Sequence, residues 1–169
     1  MMKNKLVTVY CILMMLLAAL PAFGETKVYF SPNGGCQDAI ISQINKAKKS
    51  IDVAMYNLTS REIAKELVNA KERGVKVRVF MDEKAARDNK YAKDKYLSQS
   101  GIEVRHYRAD KGIMHNKFAV IDNAVLITGS FNWTPTANRE NEENLLIITD
   151  TDVVKQYFRR FEHMWQSRR

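Results

Sequence analysis

His115-Asn116-Lys117-Phe118-Ala119-Val120-Ile121-Asp122-Asn123-Ala124-Val125-Leu126-Ile127-Thr128-Gly129-Ser130-Phe131-Asn132 carries a fold signal and a chemical signal in one stretch. Lys117 to Ile121 and Ala124 to Thr128 are apolar, β-prone runs. Asp122-Asn123 separates them, and both residue types tolerate the positive φ of a two-residue hairpin turn. Such a turn sets Ile121 opposite Ala124. Ala119 then faces Leu126, Lys117 faces Thr128 and His115 faces Ser130. Side chains alternate between the faces of a strand. His115, Lys117 and Ser130 therefore share one face, Asn132 continues it, and Phe118, Val120, Val125 and Ile127 take the core-facing side. Asp122 has the wrong parity to join the polar patch and reads mainly as a turn or structural residue.

The residues before the hairpin alternate strand and helix. Lys27 to Phe30 is a short strand candidate, ended by Ser31-Pro32-Asn33-Gly34-Gly35. The Gly pair lacks the pattern of a phosphate loop and reads as a turn. A helix follows with Ile40, Ile41, Ile44 and Ala47 on one face, then a strand from Ile51 to Tyr56. Thr59 and Glu62 have capping-box spacing. They open a helix that runs to Arg73, with Ile63, Ala64, Leu67 and Ala70 inward and Gly74 ending it. Val75 to Met81 is a strand, a polar helical region runs to Gln99, and Ile102 to Tyr107 is a strand candidate. After the hairpin come a strand at Leu145 to Thr149 and a helix from Thr151. That helix carries Val153, Val154, Tyr157, Phe158, Phe161 and Trp165 on one side. The alternation argues for parallel strands joined by helical crossovers. The expectation is a single α/β domain with a mixed, mostly parallel β-sheet flanked by helices on both faces.

Residues 1–24 read as a secretory signal: Lys3 and Lys5 in front, Leu6 to Leu20 apolar, and Ala22-Phe23-Gly24 as a small-x-small cleavage site. The apolar run is short for a span of about 20 residues. Residues 25–169 would form the mature domain, periplasmic or secreted, with no stable membrane association after cleavage. Cys11 leaves with the signal, and Cys36 alone cannot form an internal disulfide. At the start of an apolar helix, Cys36 reads as a buried small hydrophobe. The whole chain carries 27 Lys and Arg against 19 Asp and Glu. Loss of Lys3 and Lys5 leaves 25 against 19, or +6. Such an excess favours anionic partners, nucleic acid or acidic headgroups. Arg105, Arg108 and Lys111 precede His115 closely and are candidates for phosphate contacts. No His-Glu-x-x-His, Cys pair or acidic cluster near the motif suggests a metal centre, so neither metal nor cofactor is expected.

The motif His115-x-Lys117-x4-Asp122-x6-Gly129-Ser130-x-Asn132 resembles the signature of the phospholipase D superfamily at all six fixed positions. A chance match at a given start is on the order of one in tens of millions. The resemblance implies phosphodiester hydrolysis through a phosphohistidine intermediate, with His115 as nucleophile and Lys117, Asp122, Ser130, Asn132 and Glu143 as further site residues. Lys117 and Asn132 would hold the non-bridging phosphate oxygens, and Ser130 would add a hydroxyl. Glu143-Asn144 matches the family's Glu-Asn pair. Glu143 would orient His115, with Glu140 and Glu142 as close competitors. The family completes its site with the His of a second motif copy, whereas this chain carries one copy and thus half a site. The resemblance therefore implies a homodimer that brings two His115 rings together. It is strongest to the short, exported, single-motif bacterial endonucleases. These imply an EDTA-resistant endonuclease acting on single- or double-stranded DNA, with RNA as a second candidate, and with little sequence preference. A lipid phosphodiesterase or phosphatidyl transferase of the same superfamily is one alternative. A non-catalytic nucleic-acid-binding protein is the other.

Overall fold

The computed structural model describes residues 24–108 and 111–167. The signal-sequence reading, residues 1–24, lies outside that range except for Gly24. Seven strands form one sheet: β1 (Thr26–Ser31), β2 (Ser50–Met55), β3 (Lys76–Asp82), β4 (Glu103–Tyr107), β5 (Lys117–Ile121), β6 (Val125–Gly129) and β7 (Glu143–Ile148). Their spatial order is β1-β7-β6-β5-β2-β3-β4. The helices are α1 (Cys36–Lys46), α2 (Arg61–Glu72), α3 (Glu83–Asp88), α4 (Asp94–Gln99), α5 (Pro135–Arg139) and α6 (Thr151–Gln166). The short α5 was not expected, although Thr134-Pro135 is an N-cap and N1 signature. Thr134 Oγ1 accepts from the Ala137 N–H at 3.0 Å.

The sheet is mixed, as expected, but not mostly parallel. Only β2–β3 and β3–β4 pair in parallel; the other four pairings are antiparallel. The parallel half comes from strands separated by helical crossovers. Beyond β4 the chain mostly returns on itself, and β5 enters beside β2 in the opposite direction. Helices cover both faces. Ile40, Ile44, Ile63 and Leu67 of α1 and α2 pack against Val53, Val79, Ala119 and Ile127. On the other face Val154, Phe161, Met164 and Trp165 of α6 cover Ala54, Phe80, Phe118, Val120 and Leu126. Both faces of β5 are therefore core-facing along most of its length. The single core face expected for Phe118, Val120, Val125 and Ile127 is replaced by two, split between Phe118 and Val120 on one side and Val125 and Ile127 on the other.

The hairpin turn has the expected chemistry but a different register. Asp122 and Asn123 both have φ of 54°. Ala124 also lies in the turn, its N–H bonded to the Ile121 carbonyl at 2.9 Å. Ile121 therefore pairs with Val125, and Phe118, not Lys117, pairs with Thr128. One extra loop residue slips the ladder by one place. The cap of α2 also moves by one: Ser60, rather than Thr59, accepts from the Ile63 N–H at 3.2 Å. Cys36 is free and fully buried at the start of α1, as expected.

Buried charge ties α6 to the sheet. The Arg78 guanidinium donates to Asp52 at 2.6 Å and to Glu162 of α6 at 2.5 Å. The Phe161 and Trp165 rings lie against it, with centroids 4.9 and 5.3 Å away. Burial pushes the Asp52 carboxyl up despite the paired guanidinium. Such a cluster fixes how two layers meet more than it adds stability.

Candidate active site

The antiparallel entry of β5 brings the motif to one end of the sheet. Met55, the last residue of β2, pairs with Lys117, the first of β5. Gly129 ends β6 and Glu143 begins β7 at the same end. This is the edge beyond the carboxyl ends of the parallel strands, where open α/β sheets place their ligands. His115 reaches it from a loop anchored by Asp82. That carboxylate caps α3 through the Ala85 N–H at 2.9 Å and accepts from the Met114 N–H, also at 2.9 Å. Met114 itself is buried. Asp82 was not singled out in the sequence, yet an Asp between an apolar strand and a polar helical segment is an N-cap signal.

Two charged and aromatic groups surround the His115 ring. Lys117 Nζ lies 3.2 Å from Nδ1, 3.1 Å from Nε2 and 3.1 Å from the His115 carbonyl oxygen. At near-equal distances from both nitrogens the ammonium lies against the ring, and its hydrogen bond goes to the His115 carbonyl. The Tyr56 ring packs 4.6 Å from the imidazole, centroid to centroid. The same ring lies 5.1 Å from Lys117 Nζ. Burial pushes the Lys117 ammonium below the ordinary lysine value, with the Glu143 charge acting the other way. Tyr56 was read only as the end of a strand. It reaches the site because β2 pairs with β5, a long-range contact without a local sequence signal.

Gly129 turns the chain out of β6 with φ of 145°. A Cβ there would collide with the Asn144 carbonyl, so the motif's glycine is required by close approach of β7. The N–H groups of Ser130 and Phe131 both donate to that carbonyl, at 3.1 and 3.3 Å. Ser130 Oγ donates to Glu143 Oε2 and accepts from the Asn144 N–H at 3.1 Å. Asn141 Nδ2 holds the other Glu143 oxygen at 3.0 Å. Among the described residues Glu143 makes no hydrogen bond to His115. The expectation that it orients the imidazole of its own chain therefore gives way to a Ser130–Glu143–Asn141 chain. Glu140 and Glu142 make no hydrogen bond to His115 either. Asn132 lies beyond Ser130 with its Oδ1 buried and unpartnered. It faces a groove and does not meet Lys117.

Three other expected site residues serve elsewhere. Arg105 donates to the Trp165 carbonyl at 2.7 Å, and its guanidinium lies 4.4 Å from the Trp165 ring centroid. It secures the last turn of α6 and is not free for phosphate. Arg108 is paired with Glu83 at 2.6 Å. Asp122 lies at the far end of β5, about 16 Å from Lys117 at 3.3 Å per residue. Its carboxylate accepts from the N–H groups of Lys48, Lys49 and Ser50 at 2.8, 2.7 and 2.9 Å. The structure thus assigns Asp122 the structural role that its parity suggests. Burial alone would raise its carboxyl, but the three backbone donors more than offset this and hold it below the ordinary carboxylate value.

A stability prediction follows for Asp122→Asn. The lost charge-assisted bonds should cost about 2 kcal/mol at pH 7, or about 4–8 °C in Tm. The folded-state value lies below the unfolded one. The contribution is therefore present above about pH 4 and lost as the pH falls through the folded value. Thermal unfolding at pH 7 and pH 3 should show the gap between variant and wild type closing in acid. An unchanged Tm at pH 7 would refute the assignment.

Among the described residues no three His, Cys, Asp or Glu side chains converge as a metal site would require. The other two imidazoles are engaged elsewhere or turned away. His106 Nε2 meets Asp94 at 3.2 Å, and His163 is exposed on α6.

Residues 40–165 match the family model described as "Cardiolipin synthase, PLD-like domain". This chain belongs to the phospholipase D family. It is 39% identical over 128 residues to a phospholipase D from Rickettsia conorii, covering 76% of this chain and 63% of that protein. It is 37% identical over 130 residues to the mitochondrial cardiolipin hydrolase of Xenopus laevis, covering 76% of this chain and 60% of the relative. The chain thus spans under two thirds of the length of these curated relatives. The crystal structure of Nuc from Salmonella typhimurium, itself a phospholipase D family member, superposes with a TM-score of 0.78 at 32% identity. The match covers 84% of this chain and 94% of that one.

Proposed function

We propose that the chain is a phosphodiesterase that cleaves DNA, and RNA as a second candidate, with little sequence preference and through a phosphohistidine formed on His115. The observation that carries this reading is the ammonium of Lys117 held within 3.2 Å of the His115 ring nitrogens at the ligand end of the sheet. A neutral ring nitrogen attacks phosphorus. Lys117 swings from the ring to a non-bridging oxygen and stabilises the charge there, with Asn132 as a further donor. Ser130 and Glu143 brace the wall of the site through their hydrogen bond. The likeness to Nuc over nearly its whole length supports nucleic acid as the substrate. No helix of the described residues is long and apolar enough to cross a membrane. The reading places the protein in the periplasm or outside the cell.

The leaving oxygen needs a proton donor, and one chain supplies one imidazole to the site. In this reading a second copy, related by a twofold axis, lends its own His115; that ring protonates the leaving oxygen, then takes a proton from the water that attacks phosphorus and breaks its bond to the first His115. Val28 and Phe30 lie 51% and 63% exposed on the edge strand β1. Phe30 pairs with Asn144, so this apolar strip adjoins the site and gives the second copy a surface to cover.

The ammonium supplies positive charge that a metal ion would otherwise provide. Plasmid nicking should therefore persist at full rate in excess EDTA. Loss of nicking in chelator, restored by a divalent ion, would overturn the metal-independent part of the reading. A second reading is a lipid phosphodiesterase. It is favoured by the names of the curated relatives and by the exposed Ile113, which is 51% accessible two residues before His115. Headgroup release from cardiolipin vesicles without nicking of plasmid would select it.

A further inference from the structure

A groove of about 670 Å³ shares Asn132 with the proposed site, and its other lining residues take no part in the chemistry derived above. Its floor includes Asn57 and Asn132, and its walls carry Arg61, Lys93 and Arg139, with Tyr91 on the rim. It is continuous with the site through the backbone. Tyr56 packs on His115, Asn57 is the next residue, and the Asn57 carbonyl accepts from the Trp133 N–H at 3.1 Å. Asn132, the residue before Trp133, lines the groove with its buried Oδ1 without a partner.

The groove carries an excess of positive charge. Arg78, Arg87 and Arg108 are each ion-paired. Among the described residues Arg61, Lys93 and Arg139 have no ion pair and no side-chain hydrogen bond. One acid, Glu62, enters the groove; it accepts from Ser60 Oγ at 3.1 Å and lies in the field of Arg139 and Arg61. Three cations against one carboxylate favour an anion with several charges. The cations come from three separate segments: the first turn of α2, the loop before α4 and the end of α5. They therefore surround an elongated space and do not converge on a point. The Tyr91 ring is 62% exposed, and Lys90 Nζ lies 5.0 Å from its centroid. An exposed aromatic ring beside a cationic groove is a stacking platform for a base that has left its partner. Bases inside a duplex cannot reach such a ring.

We propose that this groove binds the strand next to the bond being cut: Arg61, Lys93 and Arg139 hold the flanking phosphates, Tyr91 stacks on an unpaired base, and single-stranded nucleic acid is the preferred substrate. The inference rests on the phosphodiesterase reading above and extends it. A substrate with one phosphate fills only the His115 site. Each added phosphate on the groove side meets a further cation.

The test compares a dinucleoside monophosphate with a single-stranded hexanucleotide, in the full protein and in Arg61→Ala/Lys93→Ala/Arg139→Ala. The wild type should prefer the hexanucleotide by about tenfold or more in kcat/KM. In the variant that ratio should fall to within about twofold of one. The dependence of log(kcat/KM) on log[salt] should flatten by about 0.7 for each phosphate left without its cation. A second variant, Tyr91→Ala, should weaken the hexanucleotide while leaving its salt slope unchanged. If the wild type cleaves neither substrate, the phosphodiesterase reading falls and this one with it. If it cleaves both and the variant keeps the full length preference, the groove assignment alone is overturned. An equal or greater rate on a duplex of the same length would overturn the single-strand preference.

Discussion

His115→Ala should lower phosphodiester hydrolysis by about four orders of magnitude or more while leaving the fold intact. His115 makes no contact that the core depends on; its neighbours are Lys117 and Tyr56. Its loss removes the group that would form the covalent intermediate, and no other imidazole among the described residues is placed to substitute. The shared-site reading makes a sharper demand on mixtures. If each working site takes one ring from each of two copies, a subunit carrying His115→Ala also disables its wild-type partner. Refolding wild type with a large excess of the variant should drive activity per wild-type chain toward zero, because nearly every wild-type chain is then in a mixed dimer. At equimolar mixing it should fall to about half. Unchanged activity per wild-type chain in both mixtures would mean that each subunit carries a complete site, and the dimeric mechanism would fail. Sizing the mature protein in solution gives an independent check.

Most of the sheet was readable because its strands declare themselves locally. Lys76–Asp82 and Lys117–Ile121 are β-branched or apolar runs bounded by turn residues, and α6 shows its buried stripe in the spacing of Val154, Phe161 and Trp165. Parity alone gave Asp122 its structural role. What failed depends on counts or on distant partners. A single residue, Ala124, decides between a two- and a three-residue turn. Either answer satisfies the same apolar pattern when both faces of β5 are buried. His115 and Lys117 stayed together despite the slip because only one residue separates the loop-borne His115 from Lys117 at the start of β5. Ser130 did not keep its place, because Gly129 redirects the chain toward Asn144 before a strand register can act on it. Arg105 shows the limit of reading charge by proximity. Ten residues from His115 in sequence, it is drawn to the Trp165 carbonyl at the end of α6, a partner that only tertiary packing reveals. Tyr56 and the cationic groove were missed for the same reason: both are assembled from segments far apart in the chain.

Lys117→Met should separate catalysis from stability. The ammonium is partly desolvated, and burial pushes it below the ordinary lysine value. Over the pH range between its folded and unfolded values the unfolded chain binds more protons. Stability from this group therefore rises with pH through that window, and at neutral pH the buried charge is a cost. A methionine of similar length removes the cost, so Tm at pH 7 should be unchanged or higher. Activity should move the other way. A donor aimed at developing phosphate charge in a partly desolvated site contributes about 10²–10³ in rate, and methionine has none. The pH profile gives the second half of the argument. Only the charged amine can hold the phosphate oxygen, so activity falls as pH rises through the lowered value. The alkaline limb of kcat/KM should begin below the range of an ordinary lysine, about 10.4. In Lys117→Arg the guanidinium stays charged throughout, and that limb should vanish even if the plateau drops. A wild-type profile flat to the lysine range, or a Met variant that loses stability while keeping its rate, would make Lys117 a structural residue and remove the positive charge on which the proposed chemistry depends.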